Sequence, residues 1–257
     1  MRSTSRPDMK LYVFETGRIN VPDRGMLAIG RGGKPVTIFA AVCLIRHPSG
    51  DVIIDTGMNG ETWPTEQRKE IVMSPEQRVD RQLERLGLSP GSIRYVIMTH
   101  LHMDHSGWMR LFAKSTFIVR KAELRHAWWP EKWLGHLAFD DYKDTRDFTF
   151  IEPGDDEDYD VFGDGTVVCI DTKGHSPGHQ SVLITLPNSG PILYAGDAVS
   201  LDEHLHESVM PAIAWRPDLA YRTICRVQHM ERNGVRIFLG HDMEFYKTVR
   251  LAPEYYD

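Results

Sequence analysis

Short runs rich in Val, Ile, Tyr and Phe recur along this chain, each bounded by Gly, Pro or Asp. They read as strands over residues 10–15, 38–46, 52–55, 94–98, 116–120, 166–171, 181–186, 192–195 and 235–239. Two stretches change to helical spacing. Ser74-Pro75-Glu76-Gln77 offers an N-cap, a proline at the first helical position and a glutamine at the third, and Val79, Leu83 and Leu86 follow before Gly87. The second begins near Pro217, runs through Leu219, Ile224 and Val227, and stops around Gly234. This mixture predicts an α/β chain with sheets covered by helices, and the pattern alone leaves open a two-sheet sandwich and a single doubly wound sheet. No low-complexity segment, short-period repeat or linker interrupts it, so one domain over residues 1–257 is expected, with the polar residues 1–8 flexible.

Composition narrows the class. A chain of 257 residues, 41% of them hydrophobic, can bury a substantial core. Lys and Arg number 30 against 36 Asp and Glu, a formal net charge of −6, and no basic stripe is present, so nucleic acid is not an expected partner. The first eight residues hold no apolar signal segment, and no run approaches the roughly 20 apolar residues of a membrane span. A cytoplasmic protein without membrane insertion, monomeric or homodimeric, is the expectation. Cys43, Cys169 and Cys225 are widely spaced among apolar neighbours and read as reduced thiols, the first two flanked by apolar residues on both sides.

The chemistry is concentrated in His100-Leu101-His102-Met103-Asp104-His105, directly after the apolar run Tyr95 to Met98. Burying so many imidazoles and a carboxylate together is costly unless something binds them, and a metal ion does that. Residues two apart on an extended segment point the same way, so His100 and His102 can converge on one ion while Asp104 and His105 serve a second. Three further candidates end strand-like runs: His175 in the segment from Thr172 to His179, Asp197 after Leu193-Tyr-Ala-Gly, and His241 after Ile237-Phe-Leu-Gly. A histidine-rich set without thiolate fits zinc, and Mn, Fe or Co would accept the same ligands.

With these residues in view, the chain resembles the metallo-β-lactamase superfamily, whose motif is HxHxDH followed by a distant His, Asp and His. The stretch Asp51 to Gly57 and the Gly174-His-Ser-Pro-Gly-His179 segment also resemble family landmarks. Within the superfamily it is most similar to the N-acyl-homoserine lactonases, having a short interval between His175 and Asp197. The resemblance implies an αββα sandwich of two mixed sheets flanked by helices, with the metal site at a sheet edge. It also implies two divalent ions, one on His100, His102 and His175, the other on Asp104, His105 and His241, with Asp197 bridging. The implied activity is opening of a small-molecule lactone, an N-acyl-homoserine lactone above all, by attack of a metal-bridging hydroxide, which would make it a quorum-quenching enzyme. Asp104 is the candidate proton shuttle to the leaving alkoxide.

Supporting roles follow. Asp55, after a buried strand, is expected to orient ligand imidazoles, because ligating histidines usually hand their other N–H to a carboxylate or carbonyl. His179 is expected in a hydrogen-bonded support role rather than as a ligand, and Gly174, Pro177 and Gly178 around it read as a tight turn holding His175 in place. Lactonases of this kind usually carry a tyrosine three residues after the bridging Asp. Here that position is Ser200, so Ser200, His204 or Tyr221 would supply the hydrogen bond, and Ser200 is expected near the bridged site. Trp128, Trp129 and Trp133 form either ordinary core or an apolar wall for an acyl chain, and Met26 would form the opposite wall by analogy.

Competing activities on the same site are hydrolysis of another lactone, an aryl ester or a phosphotriester. A glyoxalase-II-type thioesterase is disfavoured by the short stretch after His241, and a β-lactamase by the presence of His105 and the absence of a thiolate ligand. A di-iron oxidoreductase would typically need a flavin domain. A non-catalytic scaffold would have lost ligands, and all seven are present.

Overall fold

A computed structural model describes residues 7–131 and 135–257. Among these, seven strands form one mixed sheet: β1 (Lys10–Val21), β2 (Val36–Arg46), β3 (Val52–Ile54), β4 (Ile71–Val72), β5 (Tyr95–Ile97), β6 (Thr116–Ile118) and β7 (Thr149–Ile151). Their order is β4-β1-β2-β3-β5-β6-β7, antiparallel from β4 to β3 and parallel from β3 to β7. Five more, β8 (Tyr159–Asp160), β9 (Val167–Asp171), β10 (Gln180–Leu186), β11 (Gly190–Tyr194) and β12 (Arg236–Phe238), make the second sheet in the order β12-β11-β10-β9-β8, with only β11 and β12 parallel.

The strands are buried on both faces, which is why they read as apolar runs. On β2, Cys43 and Ile45 point between the sheets, where they meet Val182, Ile184 and Tyr194 of the second sheet. Val42 and Leu44 point outward onto Val79 and Leu83 of the helix Val79–Arg85 and Ala127 of the helix Lys121–Trp128. The outer face of the second sheet, Ile170 and Leu193, packs on Ile224 and Val227 of the helix Pro217–Arg232. The result is four layers, helix, sheet, sheet, helix, the αββα sandwich that the resemblance implied.

Local departures have local causes. β1 continues to Val21, beyond the expected residue 15, because the pairing with β2 shifts register between Glu15 and Gly17, and Gly17 takes a φ of +128° that breaks the alternation. β4, β7 and β8 are two or three residues each, too short to carry a period. The capping box at Ser74 is present, but it caps a single tight turn, Pro75–Gln77, and the helix proper follows it. Cys43, Cys169 and Cys225 are free, the first two buried and the last partly so. No helix among the described residues is long and apolar enough to cross a membrane.

The arrangement positions a site. β3 and β5 are parallel in one sheet and β11 and β12 are parallel in the other, so the chain leaves all four at the same edge. Gln180 stitches the sheets there: its N–H donates to Thr99 O (2.9 Å) and its amide to Met98 O (2.8 Å).

Candidate metal centre

At that edge the seven ligand-type side chains converge. His100, His102, His175 and Asp197 form one group and Asp104, His105 and His241 another, the ligand atoms of each lying within 4.8 Å of one another. Six of the seven are buried, and Asp104 is partly exposed. Asp197 joins the groups through separate oxygens. Its Oδ2 faces His175 Nε2 (3.3 Å) and His100 Nε2 (4.0 Å), while its Oδ1 faces His241 Nε2 (2.9 Å) and His105 Nε2 (3.3 Å). Tetrahedral zinc with bonds of about 2.0–2.1 Å sets its donors roughly 3.3 Å apart, the spacing seen here.

Hydrogen bonds decide which ring nitrogens face inward. Asp55 is fully buried, and its Oδ2 accepts from His105 Nδ1 at 2.8 Å. The Thr99 hydroxyl donates to the same carboxylate (2.8 Å to Oδ2) and so must accept from His100 Nδ1 (3.0 Å). One carboxylate thereby fixes two tautomers, leaving both Nε2 lone pairs aimed at the cluster. The His241 Nδ1 donates to Phe39 O (2.7 Å) and the His175 Nδ1 to Ile213 O (3.0 Å). His100 Nε2, His105 Nε2 and Asp197 Oδ1 are buried with no hydrogen-bond partner. Orphaned lone pairs facing one another are what a cation-binding cluster requires and what a folding core avoids. The donor set therefore fits two divalent ions.

The electrostatics divide the groups. Burial, then the neighbouring imidazoles, pushes His100 and His102 well below the ordinary histidine range. Burial also works against charge on His105 and His241, but carboxylates win there. Asp104, Asp55 and Asp197 lift His105 well above its usual value, and Asp197 and Asp104 lift His241 to about 9. Asp197, though desolvated, is held well below the carboxylate range by His241, His175 and His105.

His179 is not turned toward the cluster as a donor. Its Nε2 accepts from the Asp197 backbone N–H (3.0 Å) while Nδ1 meets Thr172 Oγ1 (2.9 Å), so it holds the segment that carries the joining carboxylate. Gly174 has a φ of +139°, and a Cβ on Gly178 would stand 2.3 Å from Glu123 N, so the turn around His175 needs both glycines.

Sequence reading missed the residues that brace these loops. Glu123 is fully buried and accepts from Leu101 N (3.0 Å), Ser176 Oγ (2.6 Å) and Gly178 N (2.9 Å), clasping the two histidine-bearing loops together. Burial pushes its carboxyl up, against the pull of those donors. Thr99 was the other omission. Neither carries a motif; only the tertiary contact reveals them.

A cleft opens onto the cluster. Its walls are apolar, with Ile19, Val21 and Ile38 from β1 and β2, Met26 and Leu27 from the loop between them, and Trp63, Met103 and Ile213. Ser200 lines it, together with Asp197, and so do Gln67, Glu70 and His136, three polar groups that belong to no motif. Four of the residues singled out in the sequence lie outside the cleft lining, Trp128 among them, packed against the core. Trp128 is turned into the helix-covered side of the first sheet against Phe139 and Tyr142, Trp129 is 76% exposed in a separate depression with Arg125 and Arg146, and neither lines the cleft. The cause is the helix Lys121–Trp128, which faces these rings away from the site. His204 is buried behind the cleft, its Nδ1 facing Leu201 N, and Tyr221 is 54% exposed on the helix Pro217–Arg232. Trp133 lies outside the described residues.

Comparison with known proteins agrees with this geometry. The model of the metallo-beta-lactamase superfamily matches residues 38–241. The N-acyl homoserine lactonase AttM of Azorhizobium caulinodans is 31% identical, over 97% of this chain and 99% of that protein. The N-acyl homoserine lactonase AiiA of Bacillus thuringiensis subsp. kurstaki is 30% identical over 96% and 98%. A solved N-acyl homoserine lactone hydrolase, with the product N-hexanoyl-L-homoserine bound at its catalytic metal centre, superposes with a TM-score of 0.85 at 28% identity, covering 98% of this chain and 100% of that one. This chain belongs to the metallo-β-lactamase superfamily.

Proposed function

We propose that this protein is a dinuclear metal-dependent hydrolase that opens N-acyl-homoserine lactones, acting in the cytoplasm as a single-domain monomer or homodimer. The observation that carries the reading is the division of Asp197, one oxygen to each donor group, at the foot of an apolar cleft. His100, His102 and His175 would hold one ion, Asp104, His105 and His241 the other, with Asp197 shared. Zinc suits the donors, and Mn, Fe or Co could take the same places. Two such ions would supply Lewis acidity at the lactone carbonyl and lower the pKa of water from about 15.7 to about 7.

The chain's own groups do the rest. Asp55 and Thr99 hold His105 and His100 in the required tautomers. The Asp104 Oδ2 lies 3.5 Å from His105 Nε2 and 3.4 Å from His241 Nε2, with its side chain 14% exposed to the cleft, so its other oxygen can carry a proton to the departing alkoxide. Ser200 donates to the substrate carbonyl from the same rim, over a shorter reach than a tyrosine would have. The walls of Ile19, Val21, Leu27, Ile38 and Ile213 receive the acyl chain, and burial there contributes about 0.8 kcal/mol per methylene.

The test is mass-spectrometric detection of the ring-opened acid from short-chain and long-chain N-acyl-homoserine lactones, with bound metal quantified. Ring opening is expected; a protein with two ions per chain that opens none would overturn the substrate class. The small side chain of Ser200 favours, as the second reading, another lactone or an aryl ester with less need of a donor at that rim. Asp104→Asn loaded with excess metal until it carries two ions per chain should lose turnover; full turnover with both ions bound would remove the proton-carrying role.

A further inference from the structure

One wall of the cleft is a loop, residues 22–35 between β1 and β2, and two of its arginines meet on a single buried carboxylate. Its base is closed internally, with Arg24 N donating to Lys34 O (2.8 Å) and Asp23 Oδ1 accepting from Gly25 N (2.8 Å) and Gly33 N (3.0 Å). Its tip pairs with residues 210–212, through Ile29 N to Met210 O (2.9 Å) and Ala212 N to Leu27 O (2.8 Å). Beneath both lies Glu203, on the short helix that follows Ser200.

Glu203 is 6% exposed. Its Oε1 accepts from Arg24 Nε (3.0 Å) and Nη2 (2.8 Å), and its Oε2 from Arg31 Nε (2.9 Å). The two guanidiniums flank the stretch that presents Met26 and Leu27 to the cleft, so one carboxylate pins both sides of that wall. Both arginine side chains are 41% exposed. Arg31 also pairs with the exposed Glu207, so without the Glu203 carboxylate Arg24 loses its side-chain partner, Arg31 keeps only a solvent-facing one, and the loop would loosen while the core stays packed. The neighbouring His204 ring lies against the Leu27 carbonyl, a second contact from the same helix.

We propose that Glu203 is a positioning residue that sets acyl-chain selectivity by holding residues 24–31 against the cleft. The assignment of an acyl chain rests on the preceding functional reading; the holding of the loop does not.

The experiment compares metal-loaded wild type with Glu203→Gln in two ways. Hydrogen–deuterium exchange of the backbone amides of residues 24–31, read by mass spectrometry, should speed roughly tenfold in the variant, as expected for local opening. The ratio of kcat/KM for dodecanoyl over butanoyl homoserine lactone should fall at least about fivefold, roughly the weight of one buried methylene, with KM carrying the change. Should Glu203→Gln fail to fold, Arg24→Gln with Arg31→Gln breaks the same bonds from the exposed side and should give the same two shifts. Exchange at the wild-type rate with an unaltered chain-length ratio would overturn the proposal. So would a fall in kcat equal for all chain lengths, which would place the effect at the metal cluster. If wild type opens no acyl-homoserine lactone, the functional reading fails, and the exchange comparison still decides whether Glu203 holds the loop.

Discussion

The two donor groups of the centre are built from the same residue types and supported differently. His100, His102 and His175 are lowered by burial and by neighbouring imidazoles, His105 included, and the outward contacts of His100 and His175 are a hydroxyl and a loop carbonyl. His105 and His241 sit among three carboxylates and are raised, with outward contacts to a buried carboxylate and to a carbonyl of β2. The first group is therefore shaped mainly by packing and the second mainly by charge. Asp197 and Asp55 are the residues that touch both, Asp197 directly and Asp55 through Thr99.

That difference can be broken in steps. Asp197→Asn removes the shared donor and should cost both ions, with turnover falling by more than the roughly 10–100-fold typical of supporting groups; metal analysis after dialysis and the ring-opening assay check it. Asp55→Asn keeps the volume but turns an acceptor into a donor facing His105 or Thr99. A loss of about 10–100-fold in metal affinity is expected, with the ion on Asp104, His105 and His241 released first in a chelator titration. Thr99→Val removes the acceptor for His100 Nδ1 and one donor to Asp55 while leaving the Asp55–His105 bond in place, so it should weaken the first group more than the second, by about tenfold, visible in the same titration as a reversal of the order of release.

The smallest effect lies under the second group. Asp141 accepts from Ser106 Oγ (3.1 Å), its Oδ1 has no partner, and burial raises its pKa from 3.8 to about 7. Between those values the folded protein keeps a proton that the unfolded chain gives up, so stability should fall as pH rises through this window. One proton limits the slope to about 1.4 kcal/mol per pH unit. Asp141→Asn should flatten the dependence, measured by urea unfolding at pH 4.5 and pH 7; an unchanged slope would assign it elsewhere.

The asymmetry also explains what could be read in advance. The segment His100 to His105 announces itself because ligand-type residues are dense there, and His175, Asp197 and His241 because each ends an apolar run. Asp55 was legible from the need of ligating imidazoles for an outer acceptor. Thr99 and Glu123 were not, because a threonine ending a strand and a glutamate in a helix have many ordinary uses, and only the meeting with Asp55 gives the threonine, and with loops 22 and 55 residues away in sequence the glutamate, a task. The cleft was misplaced for a similar reason. Tryptophans drew attention, while the walls come from Ile19, Val21 and Ile38, which look like any strand residues until the Gly17 bulge carries β1 past the metal edge.

The most direct test of the centre is ring opening of N-hexanoyl-homoserine lactone measured as a function of bound metal, from the stripped protein through one ion per chain to two. The account expects turnover to rise chiefly with the second ion, because Asp197 is placed to serve both groups at once. Full turnover at one ion per chain would contradict it.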